Sequence, residues 1–109
     1  MRNLAARRVA FVHINEHTSQ TVESPHRELW RAMRREFGGP FMVCGGYTRE
    51  TAERELAEGV ADAVVFGKPF ISNPDLVDRL RAGAPLAPWD QATFYGGDHR
   101  GYTDYPRAT

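Results

Sequence analysis

The sequence predicts an α/β fold built on a parallel sheet, and three observations carry that prediction. Short apolar runs rich in β-branched and aromatic residues recur at 9–14, 41–44 and 63–66. Amphipathic helical patterns separate them. The second and third runs both stop at glycine, in Val43-Cys44-Gly45-Gly46-Tyr47 and Val64-Val65-Phe66-Gly67-Lys68-Pro69-Phe70. Strands that are apolar throughout and alternate with helices imply parallel pairing, with at least one face of the sheet covered. Two consecutive strand–glycine–helix units are also how an α/β barrel builds a phosphate cradle at the carboxyl ends of its last strands.

In chain order, residues 3–8 form the tail of a helix. Val9-Ala10-Phe11-Val12-His13-Ile14 is a buried strand. Residues 15–23 are polar and make a loop. Ser24-Pro25 supplies an N-cap with proline at the first helical position. Leu29, Trp30, Met33 and Phe37 fall on one helical face, and Gly38-Gly39-Pro40 stops that helix. Residues 41–44 are the second strand, Gly45-Gly46-Tyr47 a tight turn, and Thr48 the next N-cap. Ala52 and Leu56 form the inner face of the following helix, and Gly59 ends it. The third strand spans residues 63–66, and Gly67 turns it. Asn73-Pro74 starts a helix with Leu76, Val77 and Leu80 on one face, stopped by Gly83. From Ala84 onward the chain is an ordered tail with one short helix near residues 90–95. No linker or low-complexity segment interrupts the chain, so residues 1–109 read as a single piece.

A length of 109 residues limits the chain to one domain. A formal net charge of zero argues against a nucleic-acid or anionic-membrane surface. The single cysteine, Cys44, excludes a disulfide framework and a cysteine metal cluster, and fits a reducing, cytoplasmic setting. The apolar run after the basic start is too short for a signal-peptide core, and no segment approaches transmembrane length.

Four blocks occur in a familiar order and spacing: Gly45-Gly46-Tyr47-Thr48; Phe66-Gly67-Lys68-Pro69-Phe70-Ile71-Ser72-Asn73-Pro74-Asp75-Leu76; Thr93-Phe94-Tyr95-Gly96-Gly97; and Gly101-Tyr102-Thr103-Asp104-Tyr105-Pro106. Together they resemble the C-terminal part of the Old Yellow Enzyme family, FMN-dependent ene-reductases on a (β/α)₈ barrel. The resemblance covers essentially the whole chain and implies a partial TIM (β/α)₈ barrel, roughly its last three βα units with a C-terminal tail. It implies that Gly45, Gly46 and Gly67 offer backbone N–H groups to the FMN phosphate. Glycine lets the backbone approach an anion closely, and the following helix N-terminus adds favourable potential. The family usually has arginine where this chain has Lys68, its only lysine. Lysine keeps the charge without the two-pronged guanidinium geometry. Tyr95 matches a family tyrosine near the flavin and substrate pocket, and Phe70 an aromatic that packs beside the phosphate loop.

This chain also has His17 where the family usually has proline, and His99-Arg100 in place of a small and acidic pair. Nothing in it matches the family's substrate-anchoring His/Asn or His/His pair or its proton-donating tyrosine. By resemblance those groups belong to the earlier part of the barrel, so no catalytic residue is assigned here. A complete barrel takes ~250 residues, and Met1 falls just before what corresponds to the sixth strand.

Other motifs have plainer readings. His13-Ile14-Asn15-Glu16-His17 spells the inverted zinc-peptidase pattern, but that chemistry needs both histidines on one helix face, and the run is a strand. Cys44 reads as a buried strand cysteine. His26 and His99 read as solvated residues, and Arg31, Arg34 and Arg35 as a solvated helix face. Tyr95 could also simply pack the tail back onto the sheet.

The functional expectation is an FMN-binding C-terminal portion of an NAD(P)H-dependent flavin oxidoreductase that reduces activated alkenes, lacking the catalytic residues itself. The alternatives are a non-catalytic phosphate- or nucleotide-binding half-barrel that self-assembles, and an inactive truncated remnant. Three barrel strands alone leave two sheet edges and an apolar face uncovered, which implies a homo-oligomer or a second chain supplying the missing strands.

Overall fold

The computed structural model describes residues 1–16 and 26–108. The predicted Ser24-Pro25 cap and His17 lie outside the described residues. Contacts divide the chain into two compact units, Met1–Val65 and Phe66–Thr109, taken here one at a time.

The first unit runs α1 (Arg2–Ala6), β1 (Val12–Asn15), α2 (Arg27–Phe37), β2 (Phe41–Cys44), α3 (Arg49–Ala57) and β3 (Ala63–Val65). The strands form a parallel sheet in the order β1-β2-β3, with Val12 opposite Phe41, Ile14 opposite Val43 and Val43 opposite Val64. This is the parallel α/β arrangement expected from the sequence. Phe41 and Val43 are fully buried and join Val12, Trp30, Phe37, Val60 and Ala61 in the core between sheet and helices. On the other face, His13 is exposed, and Met42, Cys44, Ala63 and Val65 are half-buried.

Several predicted details are corrected. β1 starts at Val12, and Val9 and Phe11 are exposed. The Val9 N–H is spent on the Leu4 carbonyl at 3.3 Å, closing α1, so it is not available to a strand ladder. In α2, Trp30 and Phe37 are buried and Met33 packs against the core, but Leu29 is exposed. Leu29 lies about 100° around the helix from Trp30 and misses the core-facing stripe. Gly38 ends α2 in the left-handed conformation, as predicted. In α3, Ala52 is buried but Leu56 is exposed; the buried neighbours are Thr51 and Glu55. Glu55 is drawn inward because Arg27 Nε meets its carboxylate at 3.0 Å. The arginines of α2 are not a simple solvated face. Arg27 and Arg31 both pair with Glu58, and Arg34 pairs with Asp62 and the Gly59 carbonyl, lacing α2 to the α3–β3 segment.

The second unit holds α4 (Lys68–Ser72), α5 (Leu76–Ala82) and a short 3₁₀ turn, Gln91–Thr93. The turn lies within the range predicted for a short helix. Asp75, not Asn73, stands at the N-cap position of α5, and its side chain makes no capping bond there. Asn73 is fully buried and holds the tail: it donates to Pro69 and Ala87 carbonyls and accepts from the Ala87 N–H at 2.8 Å. Leu76 is buried, but Val77 is exposed and Arg79 is buried in its place. The Arg79 guanidinium bonds Asp75 at 2.8 Å, the Pro85 carbonyl at 3.3 Å and the Pro106 carbonyl at 2.9 Å. A long cation thus replaces an apolar anchor because its donors are satisfied inside the fold.

Candidate phosphate-binding turns

The turn after β2 is built around glycine. Gly45 has φ 152° and Gly46 φ 65°, both in the region that side chains rarely adopt. A Cβ at Gly45 would lie 2.8 Å from the Glu16 carbonyl oxygen and 3.3 Å from Glu16 Cβ. Glu16 is fixed in turn, since its N–H bonds the Cys44 carbonyl at 2.9 Å and extends the β1–β2 ladder by one residue. Among the described residues, neither the Gly45 nor the Gly46 N–H is committed to a hydrogen bond. Two free donors in a glycine-only conformation can accept an anion.

The start of α3 contributes less than the sequence suggested. Thr48 and Thr51 form a reciprocal capping box, with each side chain accepting from the other's backbone N–H. Those two first-turn donors are already used, which leaves the start of α3 fewer free N–H groups.

β2 and β3 end side by side, with Cys44 opposite Val65, and the chain continues from β3 into the second unit. There Gly67 is the N-cap of α4, and a Cβ on it would meet nothing within 4 Å. Packing within the described residues therefore does not demand glycine at this position, unlike at Gly45. Lys68 is exposed, and among the described residues it makes no ion pair. Phe70, expected to pack, is 48% exposed. Tyr95 is 91% exposed, and among the described residues its ring meets one other ring, that of Phe94, edge-on with 6.3 Å between centroids. It does not pack the tail onto anything in its own unit. A cavity of about 520 Å³ opens in the tail among Asp90, Thr93, Gly97, Asp98, Arg100 and Tyr105, and none of the five predicted site residues lines it.

The structure also brings forward residues that pattern reading passed over. Glu16 follows Val12 and Ile14 on the core-facing side of the sheet, and its side chain is only 7% exposed. Glu55 is 1% exposed. Burial, reinforced by the Glu55 and Glu16 carboxylates, pushes the Tyr47 phenol far above its ordinary value, so it stays protonated and can only donate or accept as a neutral hydroxyl. Burial also raises the Cys44 thiol, which counts against a nucleophile. Alternation along the strand was the one available signal for Glu16, and a polar loop reading masked it. Among the described residues no group of three or more His, Cys, Asp or Glu is placed to hold a metal ion, and His13 sits on an exposed strand position. No described helix is long and apolar enough to cross a membrane.

A parallel sheet laid down by consecutive βα units is consistent with a portion of an α/β barrel. Residues 1–87 match the family described as NADH:flavin oxidoreductase / NADH oxidase, and the chain belongs to that family, the Old Yellow Enzyme family. It is 42% identical over 110 residues to 12-oxophytodienoate reductase 7 of Oryza sativa subsp. japonica, covering 91% of this chain and 28% of that protein. It is 42% identical over 93 residues to the flavin oxidoreductase hxnT of Emericella nidulans, covering 84% of this chain and 24% of that one. Among solved structures, morphinone reductase in complex with tetrahydroNAD matches 98% of this chain at 45% identity and a TM-score of 0.84, over 28% of its own length. These neighbours are TIM-barrel enzymes. The chain spans 19% to 28% of the length of the curated relatives it matches.

Proposed function

We propose that this chain is the FMN-phosphate-binding portion of an NAD(P)H-dependent flavin oxidoreductase acting on activated alkenes. The observation that carries the proposal is the Gly45–Gly46 turn. Its conformation and its contact with Glu16 admit only glycine, its N–H groups are free, and it ends a barrel-type strand in a chain of this flavin-dependent family. In this reading Gly45 and Gly46 of the first unit give backbone donors to the phosphate. Gly67 of the second unit gives another, Lys68 adds charge, and Tyr95 borders the flavin. FMN, when bound in a complete enzyme, supplies hydride transfer from NAD(P)H to the alkene's β-carbon. The residues named here bind and orient; none of them is assigned as the proton donor. A cytoplasmic setting accompanies this reading.

The partner belongs to the proposal too. Among the described residues the outer edges of β1 and β3 are unpaired, and the face bearing Met42, Ala63 and Val65 is only half covered. Such edges recruit strands. A second chain carrying the rest of a barrel, or a second copy of this one, would close them. The copy-with-copy case is the alternative reading, a non-catalytic phosphate-binding half-barrel. Titration of the purified chain with FMN, followed by flavin fluorescence and sedimentation, tests both. Saturable FMN binding supports the cofactor portion. Binding of inorganic phosphate without FMN, in a defined oligomer, supports the alternative. A compact, cooperatively unfolding monomer would refute the need for a partner, and absence of any binding would leave the inactive remnant.

A further inference from the structure

Glu16 is the residue whose position the proposed phosphate turn does not by itself explain. Its carboxylate is more than nine-tenths buried, and among the described residues neither oxygen has a hydrogen-bond partner. Among the described residues, His26 Nε2 lies 4.0 Å from the Glu16 carboxylate, beyond hydrogen-bond reach. A buried carboxylate without donors is costly, because water that once solvated it has been removed and nothing replaces it. That cost is recovered when something supplies the missing donor.

The same residue supports the glycine turn from beneath. The Glu16 carbonyl and Cβ occupy the space that a side chain at Gly45 would need. Two residues along, on the other side of the turn, Tyr47 carries a hydroxyl that makes no hydrogen bond among the described residues. Its ring packs against the core cluster. The other titratable groups near this pair are His26, the N-cap of α2, Arg27 of α2, Glu55 of α3 and the Cys44 thiol at the end of β2. Arg27 is already committed to Glu55 and Glu58. An unused buried acceptor and an unused donor thus flank the two glycines whose N–H groups are free.

We propose that Glu16 is a positioning residue for the Gly45–Gly46 turn, and that its carboxylate receives the Tyr47 hydroxyl when the turn closes on an anion. This rests on the reading of that turn as anion-accepting. The coupling works in both directions. Closing the turn gives the buried carboxylate its donor, and the resulting bond holds the two glycine N–H groups in their anion-facing arrangement. The ligand class is a phosphate monoester, since only a compact anion can reach paired backbone N–H groups. Glu16 itself touches the core side of the turn and not the ligand.

The test is a titration of the full chain with inorganic phosphate and with FMN, read by the amide signals of Gly45 and Gly46 and the ring signal of Tyr47. In the native chain all three move together and saturate at one concentration. Tyr47→Phe and Glu16→Leu each weaken binding about tenfold, the strength of a hydrogen bond to a charged group. The double variant is no weaker than either single one, because both remove the same bond. Glu16→Gln, which keeps an acceptor, restores most of the affinity; a purely structural role in packing would not distinguish acceptor from isosteric leucine. Should Glu16→Leu fail to fold, Tyr47→Phe and Glu16→Gln carry the test alone. A native chain that binds FMN while Tyr47→Phe binds equally well, with Tyr47 silent, overturns this inference and leaves the proposed function standing. A native chain that binds neither ligand overturns both.

Discussion

Replacing Gly45 with alanine probes the construction of the turn directly. The new Cβ would sit 2.8 Å from the Glu16 carbonyl oxygen, closer than real Cβ contacts come. That oxygen belongs to backbone anchored by the 2.9 Å bond from Glu16 N–H to Cys44, so it cannot swing aside like a side-chain tip. The second cost is conformational, because alanine would be forced to φ 152°. Strain and overpacking together amount to about 2–4 kcal/mol, a large share of a typical domain's net stability. Gly67→Ala is the matched control. Its φ is −100° and its Cβ meets nothing, so its stability should change by less than about 0.5 kcal/mol. Urea denaturation at fixed protein concentration measures both, and FMN titration follows. Gly45→Ala should lose stability and flavin binding together. Gly67→Ala should lose flavin binding alone. Equal stability for Gly45→Ala and the native chain would refute the account of the turn, and unaltered FMN binding in Gly67→Ala would remove Gly67 from the site.

Three further outcomes follow from the same geometry. Lys68→Ala should weaken FMN binding by about 1–3 kcal/mol without altering the urea midpoint, because the side chain is exposed and makes no ion pair among the described residues; isothermal titration at two salt concentrations checks this, with the difference shrinking at high salt. Arg79→Met should cost about 1–3 kcal/mol and free the tail to limited proteolysis within residues 84–108, since the Pro85 and Pro106 carbonyls lose their donor and Asp75 loses its cation while keeping the Ala108 N–H; an intact tail under protease would contradict it. The Arg34 guanidinium, opposed by some burial and aided by the Phe41 N–H, holds the Asp62 carboxyl below its ordinary value of 3.8. A folded value below the unfolded one means that this contribution is present above pH 3.8 and is lost as pH falls through the folded value. Asp62→Asn should therefore flatten the acid limb of the stability curve. It should cost only about 0.2–1 kcal/mol at neutral pH, because the pair is partly solvent-exposed; thermal melts from pH 2 to pH 7 show whether it does.

Much of the architecture was legible because it depends on local rules. Apolar runs of strand length, helical periodicity between them and glycine stops at Gly38, Gly59 and Gly83 are satisfied within a few residues of chain, and the structure keeps them. Thr48 as an N-cap belongs to the same class. Failures gathered where a polar residue is buried by a partner far away in sequence. Leu56 and Val77 were natural choices for inner faces, yet Glu55 and Arg79 are buried beside them because Arg27 and the tail carbonyls supply partners 28 residues upstream and up to 27 residues downstream. Hydropathy alone gives such residues to solvent.

The candidate site divides along the same line. Sequence alone put Gly45, Gly46, Gly67, Lys68 and Tyr95 forward as candidates, through a resemblance in order and spacing, which are properties of the chain. Only the tertiary structure decided that Gly45 must be glycine while Gly67 has room for a side chain, that the α3 cap is already filled, and that Tyr95 is open to solvent. It alone brought Glu16, from the end of one strand, beneath the turn that follows the next. The reason is physical: a conformational preference is written in the residue that has it, whereas excluded volume and an unsatisfied charge exist only between residues that folding has placed together.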